Sequence, residues 1–78
     1  MKKVYCVTVD PTSWSNEIWP FYAEECEVLS DIEGDQNDLG TSWQVWLATT
    51  NADNAFYMYD KLKKELGSYV IVEEVVLE

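Results

Sequence analysis

The chain has no histidine and no arginine, and its 78 residues include only two cysteines, three glycines and two prolines. Each scarcity closes off a class of chemistry. Without histidine the commonest general base is missing, and Cys6 or any Ser or Thr nucleophile has no imidazole to activate it. Without arginine there is no planar clamp for phosphate or carboxylate substrates. Gly34, Gly40 and Gly67 are too scattered to form a phosphate-cradling loop and read as turn or cap residues. Cys6 and Cys26 form no C-x-x-C or Cys/His pattern and are too few for a disulfide framework. No stretch approaches the ~20 apolar residues of a membrane span, and Val4 to Val9 is shorter than a signal-peptide core. These features predict a non-enzymatic, cytoplasmic protein with reduced thiols, no cofactor and no membrane association.

Positive charge is also missing over most of the chain. Between Lys3 and Lys61 there is no cation, yet Asp10, Glu17, Glu24, Glu25, Glu27, Asp31, Glu33, Asp35, Asp38, Asp53 and Asp60 fall there. The net charge is −10. Unpaired carboxylates are rarely buried, so the surface carries one dominant sign. Such a field repels nucleic acid and anionic lipid and attracts basic partners. A small domain needs a net charge of only about 2–8 for solubility. The excess points either to a basic partner or to a saline habitat.

What is abundant is apolar and aromatic: 47% hydrophobic residues, with four Trp, five Tyr and two Phe. Acidic disordered chains lack such aromatics, so this chain folds, as one domain over 1–78. Residues 2–9 alternate as a strand, with Tyr5, Val7 and Val9 on one face and Val4, Cys6 and Thr8 on the other. Residues 51–66 read as a helix capped by Thr50 or Asn51, with Ala52, Ala55, Phe56, Tyr59, Leu62 and Leu66 as its apolar stripe. Asp60 and Lys64 are spaced to pair on it, and Gly67 ends it. Residues 42–49 and 68–77 read as strands joined by this helix in a crossover. In 42–49, alternation groups Trp43, Val45 and Leu47 against Gln44, Trp46 and Ala48.

The segment between is ambiguous. Over 22–32, Tyr22, Cys26, Val28 and Ile32 alternate with Glu25, Glu27, Asp31 and Glu33, which favours a strand, with Leu29 as the exception. Trp19, Tyr22, Cys26 and Leu29 also fit helical spacing, with Pro20 as the first helical residue. The strand is preferred, preceded by one or two helical turns over 12–19 capped by Thr12 or Ser13, with Trp14, Ile18 and Trp19 as their apolar face. The expected fold is then α+β, a sheet of about four strands with one clear helix and one short one. The order resembles the ferredoxin-like βαββαβ arrangement in topology alone.

The acidic tract from Asp31 to Asp38 invites a calcium reading. An EF-hand loop, however, needs glycine at its sixth position and glutamate at its twelfth. Counted from Asp31 these are Gln36 and Ser42; counted from Asp35, Gly40 fits but Trp46 does not. No metal site is expected. The candidate partner-binding residues are Glu25, Glu27, Asp31, Glu33, Asp35 and Asp38, on the expectation that a strand and its loop present them as a row. Side chains two apart on a strand lie about 6.6 Å apart, close to two axial steps of phosphates along one DNA strand. In size and acidity, though in no motif, the chain resembles virus-encoded inhibitors of host nucleic-acid enzymes, the anti-restriction and anti-CRISPR proteins. That likeness implies a DNA mimic that occupies a basic protein groove. The alternative is a homodimer or a small-ligand pocket built on sheet aromatics, with Trp46 beside Tyr5 or Cys6 on a helix-free face.

Overall fold

The computed structural model describes residues 2–13 and 18–77. Its elements are β1 (Lys2–Val9), a 3₁₀ turn (Pro11–Ser13), α1 (Trp19–Leu29), a second 3₁₀ turn (Gln36–Leu39), β2 (Gln44–Thr49), α2 (Ala52–Leu66), a third 3₁₀ turn (Gly67–Tyr69) and β3 (Val70–Leu77). The sheet has three strands in the order β2-β1-β3, with β1 antiparallel to both neighbours. β2 and β3 therefore run parallel to each other with β1 between them, joined through α2.

The expected fourth strand does not form. Residues 22–32 split instead into the last two turns of α1 and an irregular segment that follows. The helical spacing wins because Trp19, Tyr22, Cys26 and Leu29 all pack into the cluster beneath the helices. The alternating set fails that test: Val28 is 76% exposed, and Ile32 belongs to a separate cluster on the other face of the sheet. Ala23 and the three glutamates of α1 favour a helix besides. Pro20 lies in the first turn of α1, where its missing N–H costs nothing. Of the 12–19 expectation, Trp14 to Glu17 lie outside the described residues. The turn before them is capped by Asp10 rather than Thr12 or Ser13: Asp10 Oδ1 accepts from Thr12 N at 2.9 Å.

The segment that follows α1 lies against the outer side of β2. Asp31 N donates to Ala48 O at 3.2 Å, and Thr50 N donates to Asp31 Oδ1 at 3.0 Å. Ser30 Oγ donates to Cys26 O at 2.7 Å and accepts from Ala48 N at 3.2 Å, tying the end of α1 to the same edge. Asn37 Oδ1 takes Val45 N at 3.1 Å. The outer side of β2 is thus closed by the Ser30 and Asn37 side chains and the Asp31 amide rather than by another strand.

Strict alternation also fails within β2. Val7 pairs with Leu47 and Thr8 with Val45, so Trp46 is the extra residue of a β-bulge. One added residue changes the face of everything beyond it. Trp46 and Leu47 both join the helix-side cluster with Val7, Val9, Ala55, Met58 and Leu62. Val45 and Ala48 join Val4 and Cys6 on the opposite face. That second face is covered by Ile32 and Leu39 from the loop between α1 and β2, and Ser42 Oγ donates to Glu73 Oε1 at 2.7 Å across it.

α2 is capped as expected: Asn51 Oδ1 accepts from Asp53 N at 2.9 Å and from Asn54 N at 3.4 Å. Its buried face runs through Ala55, Met58 and Leu62, whereas Phe56 is 51% exposed. Gly67 closes the helix at φ 60°, its N–H donating to Lys63 O. The Asp60–Lys64 pair is not made. Lys3–Glu74 (3.1 Å) and Lys61–Glu25 (2.8 Å) are the ion pairs among the described residues.

Candidate binding surface

Trp46 does not lie on an open sheet face. It sits under α1, 3% exposed, with its ring centroid 4.7 Å from that of Trp19 in an edge-to-face contact. Tyr5 packs on the same helix side, and Cys6 is buried beneath the loop. The aromatic sheet face expected to carry a subunit contact or a ligand pocket is therefore filled by the protein itself.

The six acidic candidates divide by the work they do. Glu25 is held in the fold: Lys61 Nζ donates to Oε1 at 2.8 Å and Tyr57 Oη to Oε2 at 3.1 Å. The Lys61 hydrogen bond, then that of Tyr57, keeps its carboxyl below the usual range, and Lys61 is correspondingly raised. Asp31 accepts Thr50 Oγ1 at 2.6 Å as well as Thr50 N, and these bonds lower its carboxyl too. Asp35 caps the second 3₁₀ turn by accepting Asn37 N at 3.0 Å. The side chains of Glu27, Glu33 and Asp38 are exposed and enter no hydrogen bond or ion pair among the described residues. The residues are not one strand-like row, because α1 turns Glu25 toward α2 while Glu27 lies on the loop side.

Helix end, loop and β2 edge together enclose an open cavity of about 300 Å³, lined by Trp19, Glu27, Ser30, Asp35, Asn37 and Gln44, with others. Two carboxylates, amide groups and an indole converge there, and no cation is among the lining residues. Acceptor oxygens beside an aromatic ring suit an ammonium or guanidinium group. A second feature lies on the outer side of α1. Phe21 is 83% exposed, and a shallow depression runs from it past Glu24 and Glu25 to Val28.

Gln44, Asn37 and Trp19 were not candidates from the sequence. They come from three separate segments, and only the fold-back of the loop brings them together. The thiols offer no reactive group. Burial, and secondarily the charge of Glu73, raises Cys6 to about 11; burial, with Glu25 and Glu27, raises Cys26 to about 12. Both are free and buried. Among the described residues no group of three or more Cys, Asp or Glu side chains is placed to hold a metal ion. No helix there is long and apolar enough to cross a membrane. The chain matches no protein-family model, and neither curated proteins nor solved structures returned a match.

Proposed function

We propose that the chain is a non-enzymatic binding protein whose partner is a basic protein surface, of the kind that ordinarily holds nucleic-acid phosphate. The observation that carries this reading is the cavity bounded by Glu27 and Asp35, set in a surface where Glu33 and Asp38 stay uncompensated. A lysine or arginine of the partner enters the cavity and meets two carboxylates and the edge of an aromatic stack. Phe21 and Val28 supply apolar contact on the outer side of α1, which an interface requires in addition to charge. The net charge of −10 accelerates encounter and opposes binding to nucleic acid itself. The function is then inhibition by occupancy, as in a virus-encoded mimic of DNA, with the negative charges spread over a helix and a loop rather than along a strand.

The test is retention of proteins from a host lysate on the immobilised chain, challenged separately with salt and with duplex DNA. A specific partner is released by both and is lost with a Glu27→Gln, Glu33→Gln, Asp35→Asn, Asp38→Asn variant. Asparagine at 35 preserves the cap, so the variant keeps the fold. Retention that neither DNA nor the variant changes defeats the reading.

A further inference from the structure

The two edges of the sheet are finished differently. β2 has its outer backbone groups taken by Ser30, Asp31 and Asn37. β3 pairs with β1 on one side and, among the described residues, with nothing on the other. In an antiparallel ladder a residue's N–H and C=O point the same way, so every second residue of β3 aims both groups outward. The strand is eight residues long and reads Val-Ile-Val-Glu-Glu-Val-Val-Leu. Val76 is 49% exposed, and Ile71, Val72 and Val75 are only partly covered. A long, β-branched, unpaired edge is a template for one more strand.

Glu73 and Glu74 decide which strand that is. They occupy the middle of β3, so a two-fold antiparallel pairing with a second copy centred there sets Glu73 of each chain opposite Glu74 of the other. Four carboxylates then meet at the centre of the ladder, and like charges directly opposite destabilise a pair. Shifted registers that avoid this give up the flanking apolar pairs. A strand with lysine or arginine at its two central positions converts the repulsion into cross-strand attraction. Lys3 compensates Glu74 from the β1 side, and Ser42 bonds Glu73, leaving the outer flank for the newcomer's cations.

We propose that β3 is a docking edge for an extended segment of a partner protein, apolar at its ends and basic at its centre, which adds as a fourth strand. This surface is separate from the cavity and stands or falls independently of it. The experiment titrates the isotope-labelled full chain with the peptide Val-Thr-Val-Lys-Lys-Val-Thr-Val and with its twin carrying Glu-Glu at the centre, reading amide exchange along β3. The expected result is protection of alternate β3 amides by the lysine peptide, bound about tenfold tighter than its twin. In a Glu73→Lys, Glu74→Lys variant the preference reverses; if that variant does not fold, the wild-type comparison decides alone. Equal binding of the two peptides, or no protection of β3, overturns the proposal. So does loss of lysine-peptide binding when Glu27, Glu33 and Asp38 are neutralised, since the peptide is then reading acidity in general while the cavity reading survives.

Discussion

Replacing Trp46 by alanine tests the β-bulge and the burial that follows from it. Trp46 is 3% exposed, and a tryptophan contributes up to ~250 Å² of buried surface. At ~25 cal/mol per Å² that is an upper bound of about 6 kcal/mol, and buried aromatic-to-alanine changes cost about 3–5 kcal/mol in practice. The contact with Trp19 is lost within that figure. A chain of 78 residues has about 4–12 kcal/mol in total, so Trp46→Ala is expected to remove at least about a quarter of it and, at the low end, to unfold the chain. Trp46→Phe keeps a ring in place and is expected to cost about 1–3 kcal/mol, which is measurable as a lowered urea midpoint at unchanged slope. Trp43 provides the internal control. It is only partly buried and belongs to neither core cluster, so Trp43→Ala should cost about 1 kcal/mol or less. If Trp46→Ala costs no more than Trp43→Ala, Trp46 is not under α1 and the bulge reasoning is wrong.

Asn51→Ala should lower stability by about 1 kcal/mol in the same urea titration, because two N-terminal amides of α2 lose their acceptor. Glu25 and Asp31 have folded carboxyl groups lower than their unfolded values of about 4, so their stabilisation is complete above that pH and fades on acidification. Relief of the net charge acts in the opposite sense, so the informative quantity is the gap in urea midpoint between wild type and Lys61→Met or Thr50→Val. That gap should narrow from neutral pH toward about pH 3, and a constant gap refutes the linkage. Both thiols should resist a disulfide reagent in the folded protein at neutral pH and react together once denaturant is added. Rapid labelling of the native chain contradicts their burial.

The acidic character of the candidate surface was legible in the sequence, because a run without cations must be solvated wherever the fold puts it. Its shape was not. Glu25 and Asp31 resemble their neighbours in the sequence, yet the fold pairs one with Lys61 and the other with Thr50, which leaves Glu27, Glu33 and Asp38 as the uncompensated charges. The cavity needs Trp19, Asp35 and Gln44 in one place, and no local pattern connects residues so far apart.

By itself the sequence determined β1, α2 and β3, for each has a signal contained within its own span. β1 alternates on two faces, α2 has an Asn51 cap and a Gly67 stop, and β3 is β-branched at five of its eight positions. It determined also that one sign of charge covers the surface. Tertiary structure decided the rest. In 19–32 two periodicities overlap, and the choice fell to the one that places Cys26 and Trp19 against β2. A bulge at Trp46 has no local signature, because the penalty for a mismatched face appears only when β2 meets β1 and both faces find cover. Ile32 and Leu39 supply that cover from a loop whose own sequence reads as solvent-facing. Local preference is small per residue, and where two patterns compete, burial against distant partners sets the outcome.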